Sequence, residues 1–292
     1  MEIGSNAYFV SDSVKMGKTL YVTDLDGTLM RDDKSVSEKT VTILNRLIDR
    51  GLPITYATAR SLGSASAITK AIHFSLPVIL RNGTNIADPQ TGEEIQRASF
   101  KAEKIQEIRQ CIGEAKIPGY VTAYIRGEEK TLYLANLMNE GFQAYLEDHM
   151  NDKRLQAVQT EKELYEGDVC YFTFIAKREE LDPLYERVKD SREWNCVYQK
   201  DTYRSEFWLE ICPKDATKAK AVQKIQKKCG CERVVVFGDS LNDISMFQIA
   251  DEAYAVANAV ESLKAAATGV IGDNNSDGVA EWLWQNERAY YP

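Results

Sequence analysis

The sequence predicts an α/β protein in which a parallel-sheet core is interrupted by an inserted α+β unit. Two observations lead there. Short apolar runs alternate with amphipathic helical stretches in residues 17–84 and again in 208–292, which is the rhythm of a parallel sheet covered by helices. Between them, residues 85–207 carry turn signals spaced for antiparallel hairpins. A chain of 292 residues has room for one large domain or two moderate ones.

The elements follow in order. KTLYVTDLDGTL reads as a strand over 20–23 that ends in acidic residues and Gly27. Ser37 is placed to cap a helix whose face carries Val41, Leu44, Leu47 and Ile48, with Gly51 beyond its end. Residues 52–57 form the next strand, SLGSASAITKAI the next helix, and 77–80 a third strand running into Arg81-Asn82-Gly83. The rhythm then changes. Ile86-Ala87 and residues 94–98 flank the turn Asp88-Pro89-Gln90-Thr91-Gly92 as a hairpin. A helix over 101–115, a hairpin of 120–125 with 131–134, a helix over 138–150, a strand over 169–176, a helix over 179–189 and strands at 196–199 and 207–211 complete the insert. From Thr217 the parallel rhythm resumes with a helix in TKAKAVQKIQKKCG. The continuously apolar strand 233–237 follows, of the kind buried on both faces. Helices at 242–250, 260–267 and 278–285 and strands at 252–256 and 270–271 close the chain.

Composition narrows the function. Hydrophobic residues make up 44% and charged residues 27%, ordinary for a folded chain and unlike a disordered tail or a membrane bundle. The net charge of −8 argues against nucleic acid or an anionic membrane as partner. It leaves room for a local phosphate site where a metal ion turns carboxylates into ligands. The six cysteines have no framework spacing and read as reduced thiols. Cys229-Gly230-Cys231 has no second Cys/His pair nearby, only His73 and His149 being present, so it reads as structural. The first 18 residues lack the basic-then-apolar pattern of a signal peptide, and no apolar run approaches the ~20 residues that span a bilayer. The expected location is the cytoplasm.

Asp24 and Asp26 stand two apart at the carboxyl end of the first strand, so an extended backbone sends both carboxylates to the same side. That pairs a nucleophile with an acid/base where open α/β sheets bind ligands. Gly27 and Thr28 add a tight turn, amide hydrogens and a hydroxyl suited to phosphate oxygens. Spacing alone leaves solvated loop carboxylates equally open. Asp239 and Asp243 repeat the theme after a second strand, with Asn242 beside them. Hard oxygen ligands without His or Cys favour Mg²⁺ over Zn²⁺; the plainer reading is that both merely cap a helix. Thr58 ends the second strand, and Lys218 opens a helix; alone, Lys218 reads as a solvated lysine.

Taken together, DLDGTL at 24–29, Thr58 in ATAR, Lys218 in CPKDATKAKAV and GDSLND at 238–243 resemble, in order, the four motifs of the haloacid dehalogenase superfamily. The insert between the second and third motifs, RNGT at 81–84, AVANAV and NNSDGVA resemble its Cof-like branch with a type IIB cap. The resemblance implies a Rossmann-like core, residues 17–84 and 208–292, and a substrate-specificity cap, residues 85–207. It implies a Mg²⁺-dependent phosphomonoester hydrolase in which Asp24 is phosphorylated and Asp26 acts as acid and then base. Mg²⁺ would be held by Asp24, the backbone carbonyl of Asp26 and Asp239, with Asp243 close. Thr58, Ala59 through its N–H, Lys218 and Asn242 would bind the phosphate. Small sugar phosphates or related metabolites are the implied substrates. A phosphomutase using the same aspartyl phosphate, or a silent phosphometabolite-binding module, remains the alternative. Two positions depart from the pattern: Ala59 stands where glycine is usual, and Arg81 replaces a serine, where it either adds a positive charge near the cap hinge or, as the favoured reading, pairs at the surface. Arg126, Tyr133, Tyr171 and Arg204 are candidate cap residues, equally explained by packing. Hinges are expected near Gly83 and Pro213.

Overall fold

In the computed structural model the described residues are 19–113 and 115–287; expectations for 17, 18, 114 and 288–292 lie outside them. The chain enters through β1 (Thr19–Thr23), turns over Leu25–Leu29, and continues through α1 (Glu38–Ile48), β2 (Ile54–Tyr56), α2 (Leu62–Thr69) and β3 (Val78–Leu80). The Ser37 side chain accepts the Thr40 N–H at 2.9 Å, so this helix starts where the capping pattern put it. Next come β4 (Asn85–Ala87), β5 (Glu94–Arg97), α3 (Ala102–Ile112), β6 (Gly119–Ile125), β7 (Glu128–Leu134), α4 (Glu140–Asp148), β8 (Leu155–Val158) and α5 (Glu161–Leu164). The insert ends with β9 (Asp168–Ala176), α6 (Arg178–Val188), β10 (Trp194–Lys200) and β11 (Phe207–Pro213). The remaining elements are α7 (Lys218–Cys229), β12 (Arg233–Gly238), α8 (Ile244–Phe247), β13 (Glu252–Val256), α9 (Glu261–Ala266), β14 (Gly269–Ile271) and α10 (Gly278–Glu287).

The core sheet has the order β14-β13-β12-β1-β2, all parallel, and a parallel bridge between Ala57 and Ile79 carries it on to β3. Val234 to Phe237 are all buried, as expected for a strand covered on both faces. Chain connections diverge between β1 and β12, whose register sets Thr23 beside Phe237. The next residues, Asp24 and Gly238-Asp239, therefore emerge together at the switch point of the sheet.

The second sheet, β10-β11-β9-β6-β7-β8, is antiparallel except for β7 and β8. One face packs on α3 and α6 through Ile108, Leu181, Leu184 and Val188. The other carries Tyr120 and Ile175 against Phe142 of α4.

The two crossings between the sheets differ from the expected borders. β4 and β5 pair onto β3, and Ile86 and Ala87 sit in the first hydrophobic core, whereas Phe100 belongs to the second. On the return, β11 pairs with β9 and β10, so Phe207–Pro213 belongs to the second sheet rather than to the core that was expected from 208. Hairpin pairing decides membership here, and apolar patterning does not reveal which neighbour a strand chooses. β8 and α5 were not foreseen, being short and half-exposed. The helix expected over 242–250 is a 3₁₀ turn, Leu241–Asp243, followed by α8.

Asp277 ties the two ends of the core together. Its carboxylate accepts from Ser37 Oγ at 2.7 Å, Arg31 Nη2 at 3.0 Å and Thr40 Oγ1 at 3.2 Å. Burial would raise its pKa, but the hydrogen bonds from Ser37 and Arg31 prevail and hold it below the usual aspartate value. Asp277→Ala is expected to cost about 2 kcal/mol of stability near neutral pH, measured by denaturant unfolding. Because the folded pKa is depressed, this contribution is present above the unfolded pKa and lost as pH falls through the folded value. The gap between wild type and variant should therefore close toward acid.

Candidate active site

The loop after β1 is built by alternation and one glycine. Leu25 and Leu29 are buried in the core, leaving Asp24 and Asp26 on the open side, and both aspartates line the same cleft. Gly27 then takes φ +74°, and a Cβ there would lie 2.5 Å from Asp239 Oδ2. Asn258 Nδ2 donates to the Gly27 carbonyl at 2.7 Å, while Asn274 donates through Nδ2 to the Met30 carbonyl at 3.0 Å and through its backbone N–H to Asn258 Oδ1 at 3.1 Å. AVANAV and NNSDGVA thus brace this loop from beneath.

Lys218 joins the strand ends. Its Nζ lies 2.6 Å from Asp24 Oδ1 and 2.7 Å from Asp243 Oδ1, and all three residues are buried. Asp243 Oδ2 accepts the backbone N–H groups of Asp239 and Ser240 at 3.0 and 3.1 Å, so the capping reading holds for Asp243 as well. Asp239 Oδ1 accepts Thr28 Oγ1 at 2.8 Å. Carboxylate oxygens of Asp24, Asp239 and Asp243 all lie within 4.8 Å of one another. Burial, opposed by Lys218, pushes the Asp24 carboxyl up to about 7; burial and the charge of Asp24 raise Asp239 well above the usual range. Burial works against the Lys218 ammonium, but Asp24 and Asp243 together outweigh it and raise its pKa.

Three buried carboxyl groups share one ammonium, and without a further cation Asp24 and Asp239 are pushed toward their protonated forms. The donors are all hard oxygens, and among the described residues no His or Cys joins the cluster. A hard divalent cation fits this set.

The Asp26 side chain is not part of that cluster. Its two oxygens receive Arg60 Nη2 at 2.6 Å and Nε at 2.7 Å, and Oδ1 also accepts Tyr203 OH at 2.9 Å from the second unit. Thr58 is fully buried, its hydroxyl accepting the Arg60 N–H at 3.1 Å, while Ala59 lines the cleft. Asn242 also lines it and donates to Asn82 Oδ1 at 3.1 Å. The structure thus brings Asp24, Asp26, Ala59 and Asn242 to the wall of a cleft of about 440 Å³ and sets Thr58, Lys218, Asp239 and Asp243 behind it.

Arg81 requires a correction. It is not a surface pair: its side chain is 6% exposed, lines the cleft, and meets Glu129 of β7 at 2.5 Å. Arg81 stands at φ 47°, and the half-buried Glu129 carboxylate compensates its charge. Of the candidate cap residues, Arg204 lines the cleft and pairs with Asp148 at 2.6 Å, and Tyr171 accepts from Asn82 Nδ2 at 2.8 Å. Tyr133 packs on Phe142, and Arg126 is exposed in a turn.

Sequence reasoning missed Arg60, Tyr203, Asn82 and Glu210, as well as the aromatic wall of Tyr120, Tyr145 and Trp208. Arg60 follows Thr58-Ala59 directly, and that adjacency was the available signal. Tyr203 has none, since its partner is 177 residues away. Cys229 and Cys231 lie at the far end of α7 from Lys218, their sulfurs 3.0 Å apart.

A parallel sheet presenting buried carboxylates, a lysine and a hydroxyl at its switch point defines a site for handling an anionic substrate with a cation. Residues 21–283 match the family of haloacid dehalogenase-like hydrolases, and the chain belongs to that family. Within it the chain is a phosphatase of the Cof-like branch. It is 26% identical over 279 residues to the 5-amino-6-(5-phospho-D-ribitylamino)uracil phosphatase YitU of Bacillus subtilis, spanning 90% of this chain and 96% of that protein. It is 25% identical over 274 residues to the pyridoxal phosphate phosphatase YbhA of Escherichia coli, spanning 90% and 96%. A solved haloacid dehalogenase-like hydrolase from B. subtilis superposes with a TM-score of 0.76 at 21% identity, covering 93% of this chain and all of the other.

Gly27→Ala places a methyl group against the Asp239 carboxylate and strains the backbone. The wild-type melting temperature should rise with a divalent cation, and in the variant most of that rise should be lost when melting is compared with and without the ion.

Proposed function

We propose that the chain is a Mg²⁺-dependent phosphomonoester hydrolase working through an aspartyl phosphate. The observation that carries this is the pair at the end of β1: Asp24 within the carboxylate–lysine cluster, Asp26 beside it under Arg60 and Tyr203, both lining one cleft. An oxygen of Asp24 attacks phosphorus while the bond to the leaving oxygen breaks, and Asp26 gives that oxygen its proton. Water then attacks the phosphoaspartate, Asp26 takes a proton from it, and phosphate leaves as the Asp24 carboxylate is restored.

Asp24, the Asp26 carbonyl and Asp239 would hold Mg²⁺, with Asp243 close to it. The ion supplies charge neutralisation between an anionic nucleophile and an anionic substrate. Lys218 holds Asp24 in place and, with Thr58, the Ala59 N–H and Asn242, provides the positive side of the phosphate pocket. The inserted unit, expected as residues 85–207, acts as the cap that reads the leaving group.

The substrate is a small soluble phosphomonoester, a sugar phosphate or related metabolite, acted on in the cytoplasm rather than on nucleic acid or a membrane. A cleft of about 440 Å³ supports a leaving group larger than an alcohol of two or three carbons. The curated relatives named above act on phosphates of that size. Among the described residues no helix is long and apolar enough to cross a membrane.

The test is an aryl phosphate assay followed by a panel of metabolite phosphates ranked by kcat/KM. Mg²⁺ should be required, and chelation should stop turnover reversibly. Asp24→Asn should lower kcat by roughly 10⁴-fold or more; a variant that keeps its activity would refute the assignment.

A further inference from the structure

One buried carboxylate beside the cleft takes no part in the steps above. Glu210 of β11 is 4% exposed, a costly place for a group that packing alone would fill with leucine. Its Oε2 accepts Asn82 Nδ2 at 3.0 Å, and the Tyr171 hydroxyl also bonds to it. Asn82 Nδ2 donates its other hydrogen to Tyr171 OH at 2.8 Å, and its Oδ1 accepts Asn242 Nδ2 at 3.1 Å. Asn82 itself stands at φ +54°, with its backbone N–H on the Thr58 carbonyl at 3.0 Å.

The direction of this chain of bonds is set at the Glu210 end. A carboxylate only accepts, so the NH₂ end of the Asn82 amide must face it and the carbonyl end must face Asn242. Asn242 then has to donate, because a reversed amide would bring two carbonyl oxygens together. In that orientation Asn242 Oδ1 is buried without a hydrogen-bond partner, and the second N–H would be the group to meet a phosphate oxygen. Burial pushes the Glu210 carboxyl up to about 7 against the hydrogen bonds of Tyr171 and Asn82; a protonated carboxyl can also donate, so the direction is strict while the group is ionised.

We propose that Glu210 is a positioning residue which, through Asn82, fixes the orientation of the Asn242 amide, so that a strand of the second sheet completes the phosphate pocket of the first. This rests on the reading of Asn242 as a phosphate ligand. It assigns a role in the phosphate pocket to a residue of the inserted unit that never touches the phosphate.

The test is a double-mutant cycle on binding of inorganic phosphate in the presence of Mg²⁺, measured by calorimetry. Glu210→Leu and Asn242→Ala are each expected to weaken binding about tenfold, the scale of one lost hydrogen bond to an anion. The double variant should be no weaker than Asn242→Ala alone, because one residue acts through the other. Glu210→Gln, which keeps an accepting oxygen, should recover most of the loss. Should leucine at 210 impair folding, Asn82→Gly, which preserves the left-handed backbone and deletes the amide, carries the same cycle. Additive losses, unchanged affinity in Glu210→Leu, or no recovery with glutamine would each overturn the proposal. An unmodified chain that binds phosphate but fails to hydrolyse aryl phosphate overturns the hydrolase reading alone, and the cycle still reports on Glu210.

Discussion

The rest of the structure is organised around a buried ammonium. Lys218 sits between Asp24 and Asp243 with no access to water, and a charge in that position is tolerated only while its partners stay in place. The three residues come from three elements far apart in sequence: the end of β1, the first turn of α7 and the turn after β12. Holding them together requires the β1–β12 pairing, the Thr217 cap at the start of α7 and the Asp243 bonds to its own turn. The geometry that stabilises Lys218 also concentrates negative charge at the strand ends. Fold and site are therefore one electrostatic arrangement, in which the carboxylates that pay for the lysine are left short of positive charge and suit a divalent cation.

Much of this was legible in the sequence, and the reason is local. β1 and β12 are apolar runs buried on both faces, and each breaks off into Asp and Gly, so strand, strand end and acidic pair can be read from about ten residues. What could not be read depends on pairing at a distance. Arg81 has the composition of a surface residue until Glu129 of β7 is known to face it. The β4–β5 hairpin carries correct turn residues, yet nothing in them says that it pairs with β3. β11 was assigned to the core because it leads into α7, but its hydrogen bonds go to β9 and β10. Tyr203 sits in an irregular stretch, and only the finished fold brings its hydroxyl to Asp26.

Apart from a small apolar cluster of Cys170, Tyr171, Cys212 and Ala216 at the crossings, the two units meet through polar contacts. Tyr203 reaches Asp26, Gln199 accepts from Ser240 Oγ at 3.1 Å, Glu129 meets Arg81, and Glu210 and Tyr171 meet Asn82. Such contacts are directional, and they exchange with water at modest cost when partners separate. An interface of this kind fixes a register between the units without welding them, which suits a cleft whose contents must enter and leave.

The close approach of Gly83 to the segment before α7 has a consequence for how the chain folds. A Cβ at Gly83 would fall 2.3 Å from the Thr217 carbonyl oxygen, so the turn after β3 and the segment that re-enters the core before α7 run in contact. Thr28 and Asp239 are 211 positions apart along the chain, a separation that would make their meeting slow if the intervening residues were a loose loop. Once the second sheet has formed, the segments that flank it, at Ala98 and Ala216, meet on one small apolar cluster, and the loop that the core must close shrinks to a short tether. A condensed insert therefore lowers the entropic cost of bringing α7 and β12 to β1.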